Sequence, residues 1–526
     1  MLKIKNNKKL VIIFSSVLLG FLLVYGALYV YKLGKGADNK DKKTVVNMVW
    51  KGDINGFDPT NKSHSSSAMS ERFYLAVHDT LIVFDNVNNK TIGRLAEQCD
   101  KQGKEITFTL RDNIFFHNGK LVTTEDVVYS LQKGINNNNN DYSDMIQDLN
   151  VLDDKKVKVT IKNDIPYWAS VFERYRILCK SAVESDNNQG VKIGAGPYKL
   201  VNYERDDKIS FELFENYWNK EAIKESSKKL MVKIQKSFET TLQELEEGII
   251  DLTVDVTSDK VDFLKEKISN GTLKGLEIVE NTSAKGVQIY MNAARTKKPA
   301  RQAISLALNF PPIISSLQLS GTPLDSYIPS LLVGHNEQIK REYDMDAAKT
   351  IVNGLSAEDR KIKLGCSNKE NSSLPNKITE SLREAGFDVE IDMPDFNALL
   401  AEVQKPTSSY NMVLLGELHE MGYGHKALCD YFLKDSEYAL SHIQQGDATD
   451  KDKGEVIDSK LRQAQKESNL ETYTTLVKEV QQILNDEVYV IPIYEGNTYF
   501  LKSSKIKDFT CDIFSRINWE KIKKLA

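Results

Sequence analysis

The stretch from Glu105 to Val127 constrains the fold more than any other part of this sequence. Ile106 to Leu110 alternates between apolar and polar side chains, which predicts a half-buried strand. Phe115 to His117 predicts a second short strand, and the tight-turn dipeptide Asn118–Gly119 follows it. Thr123 then predicts the N-cap of a helix with acids in its first turn. Such rapid alternation of strand and helix is typical of α/β folds.

Composition narrows the class of protein. The chain has 526 residues, of which 41% are hydrophobic and 27% charged, as is ordinary for a soluble globular protein with room for several lobes. A net charge of -4 argues against nucleic acid as the main partner. We expect a monomer that uses no cofactor and carries out no catalysis.

The N-terminus predicts a membrane segment. Residues 10–31 carry no charged side chain, and a helix of this length at about 1.5 Å per residue would cross a bilayer core. Four lysines precede it, which predicts cytoplasmic residues 1–9, a single-pass signal anchor at 10–31 and a tether at 32–43. A cleavable signal peptide is the alternative. Both interpretations place residues 44–526 outside the membrane.

The residues from Glu105 to Val127 also resemble a family signature. The string Thr-Phe-Thr-Leu-Arg, followed by Phe-His-Asn-Gly and Thr-Glu-Asp-Val, is similar to that of the solute-binding proteins of oligopeptide and dipeptide ABC importers. Further fragments match in the same order: Asn55–Pro59, Leu95–Glu97, Gly194–Tyr198, Asn216–Trp218, Arg301–Ile304 and Tyr343–Ala348. The chain is identified as a member of bacterial extracellular solute-binding protein family 5.

The resemblance implies a two-lobed, periplasmic-binding-protein-like α/β fold with an extra domain in lobe one. The chain would cross between the lobes near Val287–Asn292 and Val488–Pro492. The implied division is lobe one at 44–82, 194–288 and 489–526, the extra domain at 83–193, and lobe two at 289–488.

The implied function is capture of an oligopeptide between the lobes and its delivery to the permease of an ABC transporter. In peptide-binding members an aspartate holds the α-ammonium group of the peptide, and Glu420 takes that position here, while Glu417 replaces the family's tryptophan. Candidate ligand-binding residues are Phe57, Asp58, Gly196, Pro197, Tyr198, Asn292, Glu417, His419 and Glu420.

Two alternatives remain open. His419, Glu420 and His425 could bind a metal or a nickel-type metal chelate, although the histidines are six residues apart and two glycines between them disfavour the helix of a zinc protease. The same fold could also serve as a receptor or scaffold without transport. The five cysteines form no CxxC pair, and we expect buried thiols unless Cys366 and Cys429 form a disulfide.

Overall fold

The computed structural model describes residues 45–525 apart from 66, 87, 89, 138–144, 368–371, 420, 437 and 439. The signal anchor predicted at residues 10–31 and the tether at 32–43 lie outside the described residues. Within the described ranges, no helix combines the length and the apolar character needed to cross a membrane.

The first part of the chain forms most of lobe one and the extra domain. Its elements are β1 (Val45–Trp50), α1 (Lys62–Ser65), α2 (Ala68–Val77), β2 (Ile82–Asp85), β3 (Lys90–Gly93), β4 (Ala96–Gln102), β5 (Glu105–Leu110), α3 (Thr124–Asn136), β6 (Ile146–Val151), β7 (Lys156–Ile161), α4 (Trp168–Phe172), α5 (Lys180–Ser185), α6 (Asn187–Gly190), β8 (Tyr198–Glu204), β9 (Lys208–Leu213), α7 (Lys220–Ile223), β10 (Lys229–Ile234), α8 (Phe238–Glu246), β11 (Leu252–Val256) and α9 (Ser258–Ser269).

The second part forms lobe two and returns to lobe one. Its elements are β12 (Leu276–Met291), α10 (Lys298–Ala307), α11 (Phe310–Ser316), β13 (Gly321–Pro323), α12 (Met345–Gly354), β14 (Lys361–Gly365), α13 (Ser373–Ala385), β15 (Asp388–Asp392), α14 (Phe396–Val403), β16 (Met412–Leu418), α15 (His425–Phe432), α16 (Ala448–Ala464), α17 (Leu470–Asp486), β17 (Val490–Ser503), β18 (Ile506–Lys507) and β19 (Lys523–Lys524). Two 3₁₀ turns lie at Ile443–Gln445 and Trp519–Lys521.

One large mixed sheet runs through both lobes. Its strand order is β15-β14-β16-β12-β17-β11-β1-β10-β9-β8, with β13 also paired to β17. The long strands β12 and β17 are antiparallel neighbours from Leu276–Ser503 at one end to Tyr290–Val490 at the other. The predicted crossings, Val287–Asn292 and Val488–Pro492, fall at the Tyr290–Val490 end of this pair and extend past the ends of β12 and β17 by one and two residues. The lobes share one continuous pair of strands.

The extra domain contains a separate four-stranded antiparallel sheet, in the order β4-β5-β7-β6. The predicted strand Ile106–Leu110 lies in β5, and helix α3 begins after the predicted N-cap Thr123. The second predicted strand, Phe115–His117, is present only as a single bridge from Phe115 to Leu121, on either side of the turn at Asn118–Gly119. The predicted domain boundaries stay a prediction.

Successive side chains of β12 point to opposite faces of the sheet, and each face packs against a different core of lobe two. Ile289 and Met291 point into a core shared with helices α10 to α13, whereas Tyr290 points to the opposite face of the sheet. Apolar side chains at helical spacing from Ser459 to Glu487 predict an amphipathic helix pair packed on a lobe. The structure has this pair as α16 and α17, which begins earlier, at Ala448, and packs on the Tyr290 side. Cys366 is a buried, free thiol, so no Cys366–Cys429 disulfide forms in the described part of the chain.

Candidate functional site

The passage between the lobes contains a bulge in β12. The pairing register with β17 shifts between Thr282 and Lys285, which leaves Ser283 and Ala284 outside the ladder. The amide of Ala284 donates to the carbonyl of Ile513 (2.7 Å), and its own carbonyl accepts from the amide of His419 (3.0 Å). We call residues 282–287 of β12 and the paired 494–497 of β17 the crossing. The bulge therefore ties the crossing to the end of β16.

Glu417 lies beside the crossing at the centre of a buried polar cluster. Pairing of β12 with β16 places it directly opposite Gly286. The hydroxyl groups of Tyr290 and Tyr327 both donate to Glu417 Oε2 (3.1 Å each), and they lie 3.1 Å from one another. His419 Nδ1 is 4.0 Å from the other carboxylate oxygen, Oε1. The Glu417 side chain is only 12% exposed.

The tyrosines of this cluster are fixed as neutral donors. Burial, and then the negative charge of Glu417, raises the pKa of Tyr290 and Tyr327 well above the usual value for a phenol. Both hydroxyl groups therefore stay protonated at any physiological pH and donate hydrogen bonds to the carboxylate of Glu417.

Aromatic rings pack against the two tyrosines that donate to Glu417. Tyr290 packs against Tyr431 with ring centroids 5.2 Å apart, and Tyr327 packs edge-on against Phe432 at 5.3 Å. Tyr431 itself is half-buried. Tyr431 and Phe432 also line a small, partly open cavity together with Ser441 and His442.

Gln288 adds a second buried acceptor on the same face of β12. Its side chain is fully buried, and its Nε2 donates to the carbonyl of Tyr327 (3.2 Å). The same amide lies above Gly286, where a Cβ atom would be 2.7 Å from Gln288 Nε2. Gln288 Oε1 is buried and has no hydrogen-bond donor within the described residues.

The extra domain reaches across to lobe two and encloses this region. Tyr423 donates to the carbonyl of Pro166 (3.2 Å), and Tyr167 donates to the carbonyl of Gln465 (2.8 Å). The Tyr167 ring lies 4.2 Å from that of His425, and side chains of the two domains form one continuous apolar core. The protein is therefore in a closed arrangement.

The predicted site residues Phe57 and Asp58 lie elsewhere and have structural partners. Phe57 packs edge-on against Phe73 (5.2 Å). Asp58 accepts from Lys133 Nζ (2.7 Å) and from the hydroxyl of Thr60 (2.6 Å). Although burial opposes it, these hydrogen bonds lower the pKa of the Asp58 carboxyl. The ion pair between Asp58 and Lys133 attaches helix α3, which belongs to the extra domain, to lobe one.

Gly196, Pro197 and Tyr198 form a close-packed turn. The amide of Gly196 donates to the carbonyl of Val77 (2.9 Å), and a Cβ at Gly196 would be 2.6 Å from the same backbone. Pro197 accepts a hydrogen bond from the amide of Phe214 (2.8 Å). Tyr198 is buried and donates to the carbonyl of Ser227 (2.8 Å). These contacts hold the turn against neighbouring segments of the chain.

Asn292 is buried at the end of β12, where its side chain donates to the carbonyl of Tyr410 (3.0 Å). Of the predicted site residues, the structure thus brings together Glu417 and His419, and Glu420 lies outside the described residues. His425 points away from them, with Nδ1 2.7 Å from the hydroxyl of Tyr473. No group of side chains in the described ranges could hold a metal ion.

Comparison with known families agrees with this architecture. A profile of the bacterial extracellular solute-binding proteins, family 5, matches residues 90–435. The chain belongs to this family. Its members are transport components that bind solutes and are not enzymes, which confirms the family and the non-catalytic class predicted from the sequence.

Relatives cover nearly the whole solute-binding protein. The di/tripeptide-binding protein 3 of Pseudomonas aeruginosa (strain UCBPP-PA14) is 22% identical over 88% of this chain and 91% of its own. The oligopeptide-binding protein OppA of Bacillus subtilis (strain 168) is 23% identical over 90% and 91%. The crystal structure of the ABC transporter substrate-binding protein CtaP of Listeria monocytogenes superposes with a TM-score of 0.78, at 20% identity, over 91% of this chain and 99% of that one. The two-lobed fold is confirmed.

Sequence reasoning about this solute-binding protein missed Gln288, Tyr290, Tyr327 and Tyr431. A signal existed for two of them, because Gln288 and Tyr290 share one face of a predicted strand. Tyr327 and Tyr431 lie in separate segments, and only the tertiary fold brings them to Glu417.

Proposed function

We propose that this solute-binding protein captures oligopeptides between its lobes and delivers them to the permease of an ABC transporter. The observation that carries the proposal is the extent of its likeness to relatives named for peptide binding, which spans 88% and 90% of the chain for the two reported above. The closed arrangement supports it, since contacts between the extra domain and lobe two would enclose a ligand beside the crossing.

Native mass spectrometry tests peptide capture directly. Residues 45–526 would be purified from a bacterial host without added ligand, and the bound material released by denaturation. We expect a ladder of peptide masses within a narrow range of lengths. A mass without any released peptide, together with no shift in Tm on addition of a mixed peptide digest, would refute peptide capture.

The same measurement separates the alternatives. Retention of a metal chelate would support a nickel-type solute in place of a peptide. A protein that binds no solute, and whose deletion leaves growth on peptides normal, would support a receptor or scaffold role.

We further propose that residues 10–31 anchor the protein in the cell membrane, with the two lobes on the outer side. The support is the uncharged stretch and the lysines that precede it. Treating intact cells with protease should digest a C-terminal tag. The mass of the membrane-extracted chain should include residue 1, whereas a mature chain that begins after residue 31 would indicate a cleaved signal peptide.

A further inference from the structure

We propose that lobe one lies on the anionic lipid headgroups of the membrane through a patch of lysines at one end of its sheet. The patch, which we call the basic end, consists of Lys229, Lys274, Lys505 and Lys507, all of which are exposed. The inference rests on the proposed membrane anchor at residues 10–31 and adds a second contact with the membrane. It does not depend on which solute the protein captures.

The basic end is where the described chain starts. Val45, the first residue of β1, pairs with Lys229 of β10. Residues 32–44 connect Val45 to the proposed anchor, and even fully extended they reach at most about 45 Å. This end of lobe one is therefore confined to the space next to the bilayer, where even a weak attraction is enough to hold it.

The C-terminal strands bring a second lysine to the same end. Strand β19 lies next to β1, because Lys524 Nζ binds Asp251 Oδ2 (2.8 Å) and the same oxygen accepts from the amide of Asn47 in β1 (2.9 Å). Strand β18, which ends at Lys507, pairs with β19. Lys507 is therefore at the end of the sheet where β1 starts.

Lys505 and Lys274 lie side by side next to β18. The amide of Ser504 donates to the carbonyl of Gly275 (2.8 Å), which joins the segments that precede β18 and β12. Leu525 is in the same place, since its amide donates to the carbonyl of Lys505 (2.8 Å), and its side chain is 40% exposed. An exposed apolar side chain among lysines suits the boundary between lipid headgroups and acyl chains.

Neighbouring acids do not cancel the positive charge of the basic end. Within the described residues its four lysines form no ion pair. Four acids near it are paired with other lysines: Asp251 with Lys524, Glu225 with Lys523, Glu215 with Lys228 and Glu277 with Lys502. Asp508 is exposed next to Lys507, whereas Glu246 and Glu247 end helix α8 on the opposite face of the sheet from β18.

The excess of lysines at the basic end is local, because the whole chain has a net charge of -4. Residues 32–43, which lead to it, add five lysines and two aspartates. An anionic bilayer attracts lysines that lie within about 10 Å of its surface, and each favours contact by about fivefold. The charge of this end therefore complements anionic lipid at the place where the anchor would hold it.

The test uses the full chain with a protease site inserted between Gly36 and Ala37. The chain is reconstituted in vesicles of phosphatidylcholine alone, or of phosphatidylcholine with about one third phosphatidylglycerol. Cleavage separates the folded lobes from the anchor. Sedimentation then measures how the lobes partition between the vesicles and the solution.

We expect the lobes to leave neutral vesicles and to stay on anionic ones, with a partition coefficient at least about tenfold higher at about 0.05 M salt. This difference should vanish at about 0.5 M salt. A triple variant, Lys229→Gln, Lys505→Gln and Lys507→Gln, should lose it. The matched control is a triple variant of exposed lysines in lobe two, Lys340→Gln, Lys451→Gln and Lys466→Gln, and should keep it.

The single variant Lys505→Gln should lose about threefold in partition, which keeps the inference testable if the triple variant does not fold. Equal partition onto neutral and anionic vesicles would overturn the inference and leave the anchor intact. Equal losses in the two triple variants would also overturn it, since net charge and not the basic end would then govern binding. If the uncut chain stays in solution with neutral vesicles, the proposed anchor is wrong, and this inference fails with it.

Discussion

Arg301 and Glu417 are charged side chains of lobe two whose surroundings differ. Arg301 is fully buried and donates to Asp450 Oδ1 (2.7 Å) and to the carbonyls of Glu487 (2.9 Å) and Thr296 (2.8 Å). Its guanidinium is thus satisfied within the fold, as expected of a structural ion pair. Glu417 instead lies beside the crossing, where its carboxylate accepts hydrogen bonds from the hydroxyl groups of Tyr290 and Tyr327.

Replacing Arg301 by methionine should destabilise the protein by about 3–5 kcal/mol, because it leaves Asp450 as a buried carboxylate without its cation. Chemical denaturation followed by circular dichroism measures the change. Arg205→Met provides the matched control, since its side chain is 85% exposed and the expected change is within about 0.5 kcal/mol. Similar losses in both variants would contradict a structural role for the Arg301 pair.

Histidines whose pKa is lowered by burial should make the stability of the protein depend on pH. Burial lowers the pKa of His78 to about 3, of His117 to about 4 and of His425 to about 3. The neutral ring is therefore favoured in the folded protein, while the unfolded chain binds protons below about pH 6.5. Their contribution to stability is complete above that pH and is lost as the pH falls toward 4.

Unfolding free energies measured at pH 7.5 and pH 5 should thus differ by about 2 kcal/mol for each fully buried histidine, such as His78 and His425. The His425→Phe variant should show a smaller pH dependence than the native protein, by roughly one proton. Identical slopes for the two proteins would show that His425 is not held neutral.

At the level of single residues, the sequence indicated the segment that holds Glu417 and His419, but not their environment. Tyr290 lies beside Glu417 because of the register between β12 and β16, and Tyr327 reaches Glu417 because the chain folds back onto this face of the sheet. Both depend on contacts between residues that are distant in sequence. Four of the predicted site residues lie in segments that were selected by the resemblance or by a predicted crossing: Phe57, Asp58, Gly196 and Asn292. Their contacts in the structure are those of packing and chain joints.

Helix α3 shows how far local sequence determines an element. Thr123 and Asp126 form a reciprocal capping box, in which Asp126 Oδ2 accepts from the amide (2.9 Å) and the hydroxyl (2.8 Å) of Thr123. The other oxygen of Asp126 accepts from the amide of Lys180 (2.9 Å). The cap that begins the helix thus also holds helix α5.

The Thr123→Ala variant should lose about 1 kcal/mol of stability, because the first-turn amides lose their side-chain acceptor. Thr475→Ala is the control, since Thr475 is exposed within helix α17 and its hydroxyl donates to the carbonyl of Glu471 in the preceding turn. Thermal unfolding of both variants measures the difference. If the Thr123→Ala protein is as stable as the control, water must satisfy the first turn of the helix as well as the Thr123 side chain does.

Among the elements, those with short-range signals were predictable. The strand at Ile106–Leu110, the cap at Thr123 and the helix pair near the C-terminus follow from alternation, capping residues and helical periodicity. The bulge at Ser283–Ala284 was not, because it exists only in relation to β17 and to the carbonyl of Ile513.

On the scale of the whole molecule, Gly422 of lobe two packs closely against Asn86 of the extra domain. A side chain at Gly422 would collide with Asn86 Oδ1. Neither the separation of these two residues in sequence nor their types predicted the contact. It arises because the extra domain and lobe two share one apolar core.

The Gly422→Leu variant should shift the protein toward an open arrangement, with a larger radius of gyration in small-angle X-ray scattering. Gly354→Leu is the matched control, because a Cβ there would meet nothing within 4 Å. An unchanged scattering curve for Gly422→Leu, with full stability, would show that Asn86 moves aside and that this contact does not hold the lobes together.

The β12–β17 pair has a consequence for the order in which the chain is made. Strand β17 is the neighbour of β12 in lobe two and of both β12 and β11 in lobe one, yet its last residue is Ser503. Neither half of the sheet is complete until nearly the entire polypeptide has left the ribosome. If the chain is exported across a membrane, as proposed, we expect its two lobes to complete their shared sheet late. The reason is that β17, the last long strand, pairs with strands of both lobes.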